Sequence, residues 1–88
     1  MHHVTITGVR GSLRRGYQVA ADLGPWTVAR DGPSWSMTAT VFSSNAFRVS
    51  QRPLTFVAEH AHGAWRWPVH TLQISGASLT AVLGSPEK

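Results

Sequence analysis

Apolar residues in this chain recur at every second position in short runs, and Gly, Pro, Ser and Asn punctuate the runs. That period belongs to half-buried β-strands, and no window carries the 3.6-residue period of an amphipathic helix. Residues 4–7 form a first run. Residues 8–16 read as a loop rich in glycine and arginine. Residues 17–21 follow, with Tyr17, Val19 and Ala21 on one face, until Leu23-Gly24-Pro25 breaks the strand. Residues 26–30 come next, then a turn by composition at Asp31-Gly32-Pro33-Ser34. Residues 35–42 alternate most regularly. Trp35, Met37, Ala39 and Val41 share one face, and Ser36, Thr38 and Thr40 share a wet one. Phe47-Arg48-Val49 is expected as a short edge strand, ended by Arg52-Pro53.

The last third gives a register as well as strands. Residues 54–60 put Leu54, Phe56 and Ala58 on one face, and Trp65, Trp67 and Val69 alternate after them. Setting Ala61 against Ala64 brings His60 opposite Trp65, Ala58 opposite Trp67 and Phe56 opposite Val69. It also sets Glu59 opposite Arg66, an opposite-charge pair. Pro68 has no N–H. A two-residue turn at His62-Gly63 would place it in a hydrogen-bonded pair with Val57. A four-residue loop, 61–64, keeps the facing pairs and moves the missing donor away from that partner. Such a loop leaves residues 65–68 without a regular partner on their other side. The apolar face then flips between Val69 and Leu72, which requires a β-bulge or bend near His70. A turn at Gly76-Ala77 sets Ile74 opposite Leu79 and Leu72 opposite Ala81. Residues 85–88 are expected to fray as a polar tail.

Six to seven short strands joined by short turns predict an all-β fold. It is a small antiparallel barrel or sandwich of the SH3-like or OB-like size class. Eighty-eight residues make a single β domain, residues 1–84, followed by the tail. With no cysteine available, four Trp, three Phe and one Tyr must supply much of the core or cover an interface. Four indoles are many for so small a barrel, so at least one is expected near the surface. The start of the chain lacks the charged-then-apolar pattern of a secretory leader, and no apolar run approaches the ~20 residues of a membrane helix. The expectation is a cytoplasmic protein with no membrane partner.

Charge adds a direction. The net charge is +4, carried by arginine apart from Lys88. Residues 1–30 hold Arg10, Arg14, Arg15 and Arg30 against Asp22 alone. Arginine forks onto phosphate oxygens, and glycine frees the backbone to approach a partner. The 8–16 segment therefore points to a phosphate backbone gripped by Arg10, Arg14 and Arg15, with Arg66 or Arg48 assisting and Trp65 as a stacking surface. It is neither a P-loop nor a dinucleotide fingerprint, since no Gly-Lys-Ser/Thr follows and no helix opens after it. The function expected is non-enzymatic nucleic-acid binding. The alternative is a protein–protein assembly subunit, a homo-oligomer or a phage or mobile-element component. A third class is a metal-dependent small-molecule binder through His60 and His62, which share a strand face. Nothing in the sequence brings that pair a third ligand, and no cofactor is expected. Catalysis is disfavoured, because Asp22, Asp31 and Glu59 sit on different segments and Glu87 lies in the tail.

Overall fold

Among the described residues the period-two pattern produces seven strands and one helical turn. They are β1 (His3–Gly8), β2 (Gly11–Arg15), β3 (Gln18–Asp31), β4 (Ser34–Ser44), α1 (Ala46–Val49), β5 (Leu54–His60), β6 (Gly63–Ser75) and β7 (Ser78–Leu83). The computed structural model describes residues 3–60 and 63–87, without the side chains of residues 59, 60 and 63. Strands β3, β2, β5, β6, β7 and β4 pair in that order, and β4 pairs back onto β3. The result is a closed six-stranded antiparallel barrel with β1 as an extra strand. Closure leaves these six strands without a free sheet edge along their paired lengths.

Strand β3 organises the wall. Its residues 18–23 pair with β2 and its residues 26–31 pair with β1, both antiparallel. Strand β4 occupies the other edge. Strands β1 and β2 are therefore collinear, interrupted only at Val9 and Arg10. The expected 8–16 loop is overturned: its second half is β2, a barrel strand flanked on both sides. Leu13 is the physical reason. It is fully buried, and holding it in the core forces its neighbours into an extended strand. The break expected at Leu23-Gly24-Pro25 is likewise a bulge within one continuous strand, because Leu23 opposes Val41 while Trp26 opposes Ala39. Tyr17 leaves the face it was expected to share with Val19 and lies fully exposed in the β2–β3 turn.

Three turns close with glycine first: Gly16-Tyr17, Gly32-Pro33 and Gly76-Ala77. The glycines have φ of 65°, 61° and 61°, and no other described residue type has positive φ. That combination is the II′ hairpin, whose twist matches the strands it joins.

The β5–β6 hairpin corrects the sequence register by two residues. His60 opposes Gly63, Ala58 opposes Trp65, Phe56 opposes Trp67 and Leu54 opposes Val69. Only residues 61 and 62 intervene, so the four-residue loop is overturned, as are the facing pairs His60–Trp65 and Glu59–Arg66. Arg66 opposes Val57 instead. A shift of two preserves every face, which is why the buried set came out correctly. In this register Thr55–Pro68 is a non-hydrogen-bonded pair, so proline costs no ladder bond toward β5. On the other edge of β6 no strand among the described residues flanks residues 65–68. The tail runs there: Gly84 N–H donates to the Pro68 carbonyl at 2.8 Å, and Glu87 N–H to that of Arg66 at 2.6 Å. The tail is thus tied down through Glu87. The flip near His70 is a register shift between Val69 and Thr71, and Leu72–Ala81 and Ile74–Leu79 pair as the pattern predicts.

Residues 46–49 form α1 rather than an edge strand. Asn45 caps it, its Oδ1 accepting from the Arg48 N–H at 3.0 Å. The helix lies against β3, where Asn45 N–H donates to Ala20 O and Arg48 Nη1 to Val19 O.

The core centres on Trp67, which is wholly buried. Trp26, Trp35, Phe56 and Trp65 surround it with ring centroids 5.6–6.3 Å away. Trp67 Nε1 is buried and meets no acceptor among the described residues. No helix among the described residues is long and apolar enough to cross a membrane.

Candidate functional site

Side chains on the outer wall form transverse rows, because antiparallel partners share a face. One row runs Ser43–Asp22–Ser12–Val57–Arg66 across β4, β3, β2, β5 and β6. Its first three members are linked to the residues beside them. Ser43 Oγ donates to Asp22 Oδ2 at 3.1 Å, and Arg14 Nε donates to Ser12 Oγ at 3.0 Å. Ser12 and Arg14 lie on the outer side of β2 because Leu13 between them points inward.

Arg10 completes the group from the β1–β2 interruption. Its carbonyl accepts from the buried Trp26 Nε1 at 2.7 Å, so a core side chain fixes the backbone from which Arg10 projects. The Arg10 guanidinium lies over the ring of Phe42, 6.0 Å from its centroid. Phe42 is 58% exposed. It faces outward because it is the extra residue of a second bulge: Asp22 opposes Ser43 and Leu23 opposes Val41, leaving Phe42 with no opposite number. A Cβ on Gly24 would stand 2.4 Å from the Phe42 ring, so the bare glycine backbone forms the seat of that ring.

Arg10, Gly11, Ser12, Arg14, Asp22, Leu23, Phe42 and Ser43 line one pocket of about 410 Å³. Two guanidiniums and one carboxylate share it, yet no ion pair joins Asp22 to either arginine among the described residues. The pocket thus offers cationic donors, a carboxylate acceptor, hydroxyls and an aromatic face.

Of the residues expected from sequence, Arg10 and Arg14 converge here. Arg15 ends β2 at the exposed hairpin tip, outside the pocket. Arg66 lies in the same transverse row as Ser12 but two strands away, about 10 Å at ordinary strand spacing. Trp65 does not belong with them. It stands on the inner side of β6, 41% exposed, beside a separate small cavity with Ile6, Gly8, Trp26, Ala58 and Trp67. The stacking surface near the arginines is Phe42, which the sequence reading missed. Its signal was available: Phe42 is the one large apolar residue in the wet series Ser36, Thr38, Thr40.

His62 and the side chain of His60 lie outside the described residues. Among the described residues no three metal-ligating side chains cluster. A contrasting row, Thr7–Thr27–Thr38–Thr80–Gln73, crosses β1, β3, β4, β7 and β6 without a charge. Its neighbour Thr5–Ala29–Ser36–Val82–Thr71 is also uncharged. No protein family, no curated protein and no solved structure matches the chain.

Proposed function

We propose that the protein is a non-enzymatic nucleic-acid-binding module that grips the phosphate backbone through Arg10 and Arg14. The observation that carries this reading is the pocket that Arg10 and Arg14 line together, with the Arg10 guanidinium over an exposed aromatic ring, Phe42. Arginine supplies the bidentate fork for phosphate, Ser12 supplies a hydroxyl donor, and Phe42 supplies a π-face for a base. Arg15 and Arg66 extend the positive field on either side, and the net charge of +4 favours a polyanion. Cytoplasm is the compartment proposed with this partner.

Fluorescence anisotropy with short labelled DNA and RNA, single- and double-stranded, at a series of salt concentrations tests it. Affinity is expected to fall linearly in log–log form as salt rises. Replacing Arg10 and Arg14 by Ala is expected to flatten the slope by about 0.7 for each phosphate of a single strand that is no longer neutralised. Absence of salt-dependent binding to every nucleic acid tried refutes the reading.

A second reading has its own observation. The two uncharged rows run beside β1, whose edge away from β3 carries no strand partner among the described residues. A charge-free wall beside an open edge suits subunit packing, as in an assembly component of a phage or mobile element. Sedimentation across a concentration range tests this reading, and a monomer at the highest concentration refutes it for self-association.

A further inference from the structure

We infer that the same pocket reads an unpaired base, with guanine preferred, through Asp22; this rests on the nucleic-acid reading above. A pocket for phosphate alone leaves Asp22 unexplained. A carboxylate accepts hydrogen bonds and repels phosphate, so at that position it opposes the arginines' attraction for a polyanion. Asp22 is nevertheless held in place by Ser43 and forms no ion pair with Arg10 or Arg14 among the described residues. Ser43 uses one lone pair of Oδ2, which leaves Oδ1 and the second lone pair of Oδ2 to accept.

The ligand group facing Asp22 must be a donor. Nucleic acid offers N–H donors on its bases: the amino groups of cytosine, adenine and guanine, and the ring N–H of guanine, thymine and uracil. Guanine alone presents two adjacent donors, N1–H and N2–H, to a carboxylate. Asp22 lines the same pocket as the two arginines and Phe42.

Stacking geometry fits a base at this place. Arg10 stands 6.0 Å from the Phe42 centroid, at the outer limit of direct cation–π contact. A flat ring between two stacked planes needs about 7 Å, twice the ~3.4 Å base spacing. The Arg10 side chain is exposed, and a shift of its guanidinium by about 1 Å admits a base between it and Phe42. Arg14, restrained by Ser12, remains for the adjoining phosphate. A base in a duplex cannot enter, because both of its faces are already stacked. The pocket therefore selects single strands.

The test uses labelled oligonucleotides on the intact protein: an all-dT strand, the same strand with a central dG, one with dI in place of dG, and a duplex of the dG strand. Wild type is expected to bind the dG strand about tenfold more tightly than the dT strand. The dI strand should fall between, since it lacks only the N2 amino group. Asp22→Asn keeps the shape and a hydrogen bond to Ser43, and is expected to abolish the dG preference. Circular dichroism checks that the variant folds, and Asp22→Ser serves if it does not. Equal affinity for dG and dT, an Asp22 variant that keeps the preference, or tighter binding to the duplex overturns the inference while salt-dependent binding keeps the parent reading. Loss of all salt-dependent binding overturns both.

Discussion

Two glycines in the wall, Gly8 and Gly24, make the same steric concession with opposite results. At Gly8 a Cβ would stand 2.3 Å from the ring of Trp26, and at Gly24 2.4 Å from that of Phe42. Trp26 is 4% exposed and packs edge-on to Phe56 at 5.3 Å, so it has nowhere to go. Phe42 is more than half exposed and can swing into solvent. The inner contact consolidates the core, and the outer one presents a side chain. A close glycine–aromatic approach therefore means structure or function according to which face of the sheet carries the ring.

Substitutions break that comparison in a definite order. Trp26→Ala has the largest effect, about 3–5 kcal/mol of stability by denaturant unfolding, since it empties part of the core and frees the Arg10 carbonyl. Gly8→Ala overpacks the same ring and is expected to cost about 1–3 kcal/mol. Phe42→Ala should change stability by less than about 0.5 kcal/mol, yet lower nucleic-acid affinity by about 1–3 kcal/mol, one stacked base. Gly24→Ala sharpens the contrast. It leaves every atom of Phe42 present but displaces the ring, so affinity should fall while the unfolding midpoint stays within error. Equal destabilisation by the two glycine variants would remove the distinction. Thr80→Ala, in the uncharged row, is the smallest, with neither affinity nor stability moving measurably.

Fold class and most faces were legible because alternation is local. Trp35, Met37 and Trp67 are buried by parity alone, and the Val69–Leu72 flip announced its bulge. Register was less legible. A slip of two in the β5–β6 hairpin changes no face, so no burial pattern could distinguish it, and Pro68 was compatible with both. Residues 11–15 failed for a different reason. Gly11, Ser12, Arg14 and Arg15 outweigh one apolar residue in any local reading, whereas Leu13 is held by partners remote in sequence, Ala21 and Phe56. Composition identified Arg10 and Arg14 as candidates. Their neighbours Asp22, Phe42 and Ser43 come from other strands, and only barrel closure and two bulges bring them alongside. Phe47-Arg48-Val49 has the residues of a strand, but the Asn45 cap and the packing on β3 turn it into a helix.

The ring cluster around Trp67 decides what light can report about this molecule. All four indoles lie in or against the core: Trp26, Trp35 and Trp65 are each within 6.3 Å of Trp67, close enough for their electronic transitions to couple. Intrinsic emission and near-ultraviolet dichroism therefore record whether the barrel is closed. Phe42 is optically faint beside them, so occupation of the outer pocket leaves the native signal nearly unchanged. Phe42→Trp would give that pocket its own emission, read as the difference from the wild-type spectrum, in which the half-exposed Trp65 is the indole most open to quenchers.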